Sequence, residues 1–187
     1  MISRFFTFEE HATLIEGAYH FPLVILSLMV AVFASFMAFN VAGQAAITED
    51  KLRRNTLLGT GSVALGGGIW SMHFLGMTAF DLCLPVDYDP LITGLSAVPG
   101  FAAAWVALHL LTKSRISLAE IILGGVLVGA GIGTMHYSGM AAMEMAPLLR
   151  YDLGMFALSI VVAVCLAMLS LWIKFGITAA TKSKKLL

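Results

Sequence analysis

Apolar residues along this chain gather into five long blocks, roughly 20–43, 56–80, 89–111, 117–143 and 153–174, separated by short polar stretches. A helix needs about 20 mostly apolar residues to cross a hydrocarbon layer about 30 Å thick, and every block meets that length. The pattern predicts an all-α membrane protein of about five transmembrane helices. The second and fourth blocks are rich in glycine: Gly59, Gly61, Gly66, Gly67 and Gly68, then Gly124, Gly125, Gly129, Gly131 and Gly133. In water such runs oppose a helix. In a bilayer an unsatisfied backbone is so costly that helix stays the default, and small residues let helices approach closely. These two helices are therefore expected inside the bundle.

The blocks repeat. Gly66, Gly68, Met72, His73, Gly76, Met77 and Ala79 recur 63 residues later as Gly129, Gly131, Met135, His136, Gly139, Met140 and Ala142. The odd-numbered blocks repeat as well: Tyr19, Leu26, Ser27 and Ala38 match Tyr88, Leu95, Ser96 and Ala107, with a third copy at Tyr151, Leu158, Ser159 and Ser170. The position after the tyrosine varies, being His20, Asp89 and Asp152. The chain thus divides into an outer interfacial segment (1–18), a transmembrane domain (19–178, with units 19–80, 88–143 and a partial 151–178) and a basic tail (179–187). Two helices per unit keep successive units in one orientation, so a pseudo-rotation axis along the membrane normal is expected.

Composition agrees. Hydrophobic residues make up 59% and charged residues 12%, against about 25% charged in soluble domains. The formal net charge is zero, which gives no argument for nucleic acid. Cys83 and Cys165 form neither a disulfide framework nor a CxxC site. Basic residues set the orientation. Lys51, Arg53 and Arg54, then Lys113 and Arg115, then Lys182, Lys184 and Lys185 fall on one side if five spans are counted. The other side holds Glu9, Glu10, Glu16, Asp81, Asp87, Asp89, Glu144 and Asp152, with Arg4 and Arg150. The N-terminus is expected outside and the C-terminus in the cytoplasm. Residues 1–18 lack a secretory signal's basic start, and Phe5, Phe6, Phe8, Leu14 and Ile15 suggest a short interfacial helix.

Within this frame both motif histidines lie in the outer half of the bilayer. His73 shares a helix face with Met77, and His136 with Met140, because residues four apart stack on a helix. Packing equivalent helices side by side would gather two imidazoles and two thioethers, with Met72, Met135 and His20 within reach. Imidazole with thioether suits copper, Cu(I) especially. Polar groups inside a span are costly and usually functional. A membrane histidine can also simply bond a carbonyl across a helix interface. His109, near the inner end of the third span, is given no role. Trp70, one turn before His73, suits either the cluster or ordinary packing. The repeated tyrosines suit interface anchors, and the repeated serines suit bonds between helices.

SMHFLGM and TMHYSGMAAM, each closing a glycine-rich span, resemble the repeated motif of the MHYT domain, a bacterial integral membrane sensory domain. The helix starts YDPLITGLS and YDLGMFALS and the run LSLMVAVFASFMAFNVAG resemble its other helices, so the likeness covers about residues 17–178. The resemblance implies copper held by Met72, His73 and Met77 and by Met135, His136, Tyr137 and Met140 near the outer face. It implies sensing of a diatomic gas (oxygen, carbon monoxide or nitric oxide), a bacterial inner-membrane location and a cytoplasmic signalling output, often cyclic-di-GMP turnover. The chain departs from the motif at Phe74 and Leu75 and at Ser138, which touches the hydroxyls and not the His–Met set. The family is described with more spans, so a last motif-bearing helix is missing here or His20 takes its place. With no output domain after Leu187, the chain is expected to be an isolated sensory domain or a stand-alone member.

Two other classes compete. A haem or redox protein would use His73 and His136 as axial ligands, or one His with one Met. A copper transporter would need a matching relay toward the inner side, where only His109 stands. An enzyme is not expected: there is no Ser-His-Asp order, no HExxH, no phosphate loop and no paired intramembrane carboxylates.

Overall fold

Short polar side chains open most of the helices. In the computed structural model, which describes residues 6–7, 17–82, 84–145 and 150–184, α1 is Phe21–Ile47, α2 Lys51–Thr78, α3 Pro90–Leu111, α4 Leu118–Ala141 and α5 Leu153–Lys184. Asp50 accepts from the Leu52 amide at the start of α2, and Asp89 from the Ile92 amide at the start of α3. Ser117 and Glu120 form a reciprocal capping box on α4. Each cap satisfies an amide that the first helical turn leaves without a partner.

Two-residue strands join these helices at one end of the bundle. They are β1 (Phe6–Thr7), β2 (Ala18–Tyr19), β3 (Phe80–Asp81), β4 (Asp87–Tyr88), β5 (Met143–Glu144) and β6 (Tyr151–Asp152). β2 pairs antiparallel with β3, setting Tyr19 opposite Phe80. β4 pairs the same way with β5, setting Tyr88 opposite Met143. Each pairing ties the start of an odd helix to the end of the next even helix, so the helices run up and down. β6 pairs instead with β1, in parallel, setting Tyr151 opposite Phe6. The expected interfacial helix over 1–18 therefore gives way to strand at Phe6–Thr7 and Ala18–Tyr19, and residues 8–16 lie outside the described part, as do Cys83 and the side chains of the basic tail.

The helices pack in chain order, α1 on α2, α2 on α3, α3 on α4 and α4 on α5. Small residues face inward: Ser27, Ala34, Ala38, Ala42 and Ala45 form the buried stripe of α1. Large apolar ones face outward, such as Val32 at 70% exposed and Trp172 at 63%. This inversion suits lipid outside and tight helix contact inside. Four helices, α1, α3, α4 and the Leu153–Ile177 part of α5, are long and apolar enough to cross a membrane. The fifth, α2, starts earlier than the apolar pattern suggested: Lys51, Arg53 and Arg54 form its first turn and not a loop.

The repeat holds at the level of contacts. A Cβ on Gly66 would lie 2.8 Å from the Cα of Phe101, and one on Gly129 would lie 2.7 Å from the Cα of Val164. Gly68 abuts Ala34 as Gly131 abuts Ala103, and Gly61 fits between Val41 and Leu108 as Gly124 fits between Leu110 and Leu171. Partners on the following helix are always 63 residues apart, and partners on the preceding helix 69. Glycine is the residue that permits such approach, and both even helices lie between their neighbours as expected.

Candidate functional site

The strand end of the bundle holds the two motif histidines. α2 carries His73 and α4 carries His136, and the close approach of these helices brings the Nδ1 atoms to 3.3 Å. The ring centroids are 4.7 Å apart with the planes tilted 58°. Both residues are half-buried. At that separation the two Nδ1 atoms cannot both carry a proton. Either one donates to the other or both lone pairs face a shared cation.

His73 fits because Gly139 has no side chain. A Cβ there would lie 2.9 Å from His73 Nε2. That nitrogen is buried and has no hydrogen-bond partner among the described residues. Its pseudo-equivalent Gly76 faces Ser27 Oγ at an ordinary 3.8 Å. The two copies of the motif are thus used unequally, and no feature of the repeat marks which glycine makes the room.

The other expected ligands divide. Met77 and Met140 lie one helical turn past their histidines and are half-buried. Met72 is half-buried, and its carbonyl accepts from Ser27 Oγ at 2.9 Å. Met135 is 2% exposed and packs against Gly100 of α3, as a core side chain does. His20 is exposed at the N-cap of α1, with its amide bonded to the Ala79 carbonyl at 2.7 Å. Among the described residues no set of three or more His, Cys, Asp or Glu is placed to hold a metal. Asp89 and Asp152 occupy the equivalent position; Asp152 accepts from the Met155 amide at 2.8 Å.

A ring of aromatic contacts surrounds the pair. Trp70 stacks on Phe74, and its Nε1 donates to Ser96 Oγ at 3.0 Å. Tyr137 packs edge-on against His136, and its hydroxyl lies 2.6 Å from Ser159 Oγ on α5. Tyr151 packs edge-on against Tyr137. Burial, with the neighbouring Tyr137, pushes the Tyr151 phenol up to about 12, and burial also raises that of Tyr88. All three repeated serines bond across helices as expected, Ser27 to α2, Ser96 to α2 and Ser159 to α4. Trp70 belongs to this helix packing.

An all-α, multi-pass membrane bundle made of a repeated helix pair, with one histidine from each pair brought into contact, defines the class. The chain belongs to the MHYT family, described as a bacterial signalling protein N-terminal repeat, which matches residues 66–124 and 129–186. It is 40% identical over 159 residues to the bifunctional diguanylate cyclase/cyclic di-GMP phosphodiesterase MucR of Pseudomonas aeruginosa, covering 85% of this chain and 23% of that protein. It is 30% identical over 175 residues to the signaling protein YkoW of Bacillus subtilis, covering 92% of this chain and 21% of that one. With the cyclic di-GMP phosphodiesterase NbdA of Pseudomonas aeruginosa it shares 34% over 142 residues, covering 76% and 18%. The chain spans less than a quarter of the length of these relatives. No solved structure matches it.

Proposed function

We propose that this chain is a membrane sensory module whose signal is read at His73 and His136, with copper held between the two imidazoles and Met77 and Met140 alongside. The single observation that carries the reading is the 3.3 Å approach of the two Nδ1 atoms. Two nitrogens on one tetrahedral ion, each about 2.0–2.1 Å from it, stand about 3.3–3.4 Å apart. A copper ion would supply a redox-active, gas-binding centre. The chain's own groups do the rest: Gly139 lets His73 reach its partner, and Tyr137 ties the His136 helix to α5 through Ser159.

The signal in this reading is a diatomic gas (oxygen, carbon monoxide or nitric oxide) or a change of redox state. The module is a non-catalytic part of the bacterial inner membrane, with five crossings, the strand end outside and the loop end in the cytoplasm. The basic residues Lys51, Arg53, Arg54, Lys113 and Arg115 at the loop end support that orientation. The output is cyclic-di-GMP turnover or a related cytoplasmic signal, a reading supported by the names of MucR and NbdA. Haem between the two histidines has less support, since imidazoles already in contact leave no slot for a macrocycle. Copper delivery has no particular observation in its favour.

Metal content of the detergent-purified protein tests the proposal, with wild type beside His73→Ala and His136→Ala. Stoichiometric copper in wild type that is lost from both variants is the expected result. Wild type that takes up no metal even after reconstitution with Cu(I) overturns it.

A further inference from the structure

An apolar cavity lies toward the end of the bundle opposite the histidines. α1 and α5 flank this cavity of about 100 Å³ whose floor is α3 and α4, with Phe39, Ala107, Val128 and Ala167 among its walls. The lining is apolar apart from Ser170 and a single cation, Lys174. Lys174 is half-buried; its Nζ donates to the Leu111 carbonyl at 2.7 Å and sits 3.9 Å from the centre of the Phe175 ring. The carbonyl of Leu111, the last residue of α3, thus holds the ammonium beside the cavity.

More positive charge converges on the same helix end. Arg54 donates to Thr112 Oγ1 at 3.2 Å. Lys113, the next residue, is paired with Glu120. Arg54, Lys113 and Lys174 come from three different helices and their connections, and Glu120 offsets one of them. Depth matters as much as charge. Lys174 is 21 residues past Leu153, the first residue of α5. At 1.5 Å per residue that is about 32 Å, one hydrocarbon thickness. If α5 enters the apolar layer at Leu153, Lys174 stands at the level of the phosphates of the far leaflet.

We propose that this cavity is a binding site for an anionic phospholipid, with an acyl chain in the apolar cleft between α1 and α5 and the headgroup phosphate at Lys174, supported by Arg54. Basic pockets between membrane helices hold anionic headgroups in this way, and each Lys or Arg near the surface contributes about fivefold in affinity. An anionic headgroup adds the counter-charge that the Leu111 carbonyl and the Phe175 ring do not supply to this ammonium. A free phosphate would leave the apolar walls unused. The site rests on the membrane reading of the bundle and not on the metal reading.

The test is native mass spectrometry of delipidated protein in detergent, given equal amounts of palmitoyl-oleoyl phosphatidylglycerol and palmitoyl-oleoyl phosphatidylcholine. Wild type is expected to retain the phosphatidylglycerol preferentially, and Lys174→Gln to lose about fivefold of that preference. Lys174→Arg keeps it. Ala167→Phe, which fills the apolar cleft and spares the charge, lowers retention of both lipids. Equal retention of the two lipids by wild type overturns the proposal, and so does a preference that Lys174→Gln leaves intact. Inorganic phosphate that displaces the bound lipid at equal concentration also overturns it, assigning the site to the free anion. Copper content, read on the same samples, stays at the wild-type level in all three variants, so failure of one site is distinguishable from failure of the other.

Discussion

The Nε2 atom of His73 rests in the space that a side chain at Gly139 would occupy. A Cβ at that glycine would stand 2.9 Å from the nitrogen, closer than such contacts occur. The imidazole would have to shift, and its Nδ1 would leave His136. Overpacking of this kind costs about 1–3 kcal/mol. The equivalent Gly76 has room, with Ser27 Oγ at 3.8 Å. Gly139→Ala is therefore expected to lower copper occupancy at a given free Cu(I), while Gly76→Ala leaves it unchanged and gains up to about 1 kcal/mol of helix propensity. A metal titration of the two variants decides it. Equal occupancy in both would mean that the pair does not depend on this hollow.

Trp70 and Tyr137 make the same helix-to-helix bond from different positions in their copies. Ser96 accepts from the Trp70 indole, and its equivalent Ser159 bonds the Tyr137 hydroxyl. Phe74 stands where the second copy has Tyr137, and Gly133 stands where the first has Trp70. The exchange explains why the first motif can lack its tyrosine. It also keeps volume in balance: Ile160 packs at Gly133, and the equivalent positions in the first copy are the smaller Ala97 and the larger Trp70. Tyr137→Phe and Trp70→Phe should each cost about 0.5–1.5 kcal/mol for the lost bond. A double-mutant cycle of Tyr137→Phe with Ser159→Ala should show coupling of about 0.6 kcal/mol, as measured for membrane hydrogen bonds. Unfolding in a detergent titration gives these values. Additive effects in the cycle would remove Tyr137 as the link between the His136 helix and α5.

Tyr151 gives the alkaline limit. Its phenol is pushed up to about 12 by burial first and by Tyr137 second, against about 10 in an unfolded chain. Between those values the unfolded state has released a proton that the folded state keeps. Stability from this group is then fully present below pH 10 and is lost as pH rises toward 12. The Tyr151 hydroxyl is also buried without a partner among the described residues. Tyr151→Phe should therefore flatten the fall in stability above pH 10 and cost nothing at pH 7. Thermal unfolding followed by circular dichroism from pH 7 to pH 11 measures both. An unchanged alkaline slope would show that Tyr151 is not the group responsible.

Much of this architecture is visible in the apolar pattern because lipid imposes it. Five apolar blocks became five helices, and the glycine-rich blocks lie between their neighbours. The 63-residue shift that relates His73 to His136 relates Phe101 to Val164 and Leu108 to Leu171 as well. What the pattern hid were matters of a few ångströms or of helix ends. Asp50 caps α2 at Lys51, five residues before the apolar block starts, because capping depends on local hydrogen bonds and not on hydropathy. The choice of Gly139 over Gly76 depends on how two helices cross. Pairing of Phe6–Thr7 with β6 joins distant segments through backbone alone, which leaves no mark on side-chain pattern.

His20 shows the difference most directly. In sequence it is the odd member of a position that otherwise reads Asp89 and Asp152, which makes it look like an extra metal ligand. In the structure that position is a helix N-cap: Asp89 and Asp152 accept the amides of Ile92 and Met155, while His20 makes no side-chain cap. The variation then concerns the start of α1. Replacing His20 with aspartate restores the acceptor, and N-cap acceptors are worth about 0.5–2 kcal/mol. His20→Asp is expected to stabilise the protein by an amount in that range and to leave copper content at the wild-type level. Detergent unfolding gives the first quantity and elemental analysis the second. A variant that gains stability but loses copper would place His20 in the ligand set, and a variant that gains nothing would mean that α1 draws no stability from an acceptor at this position.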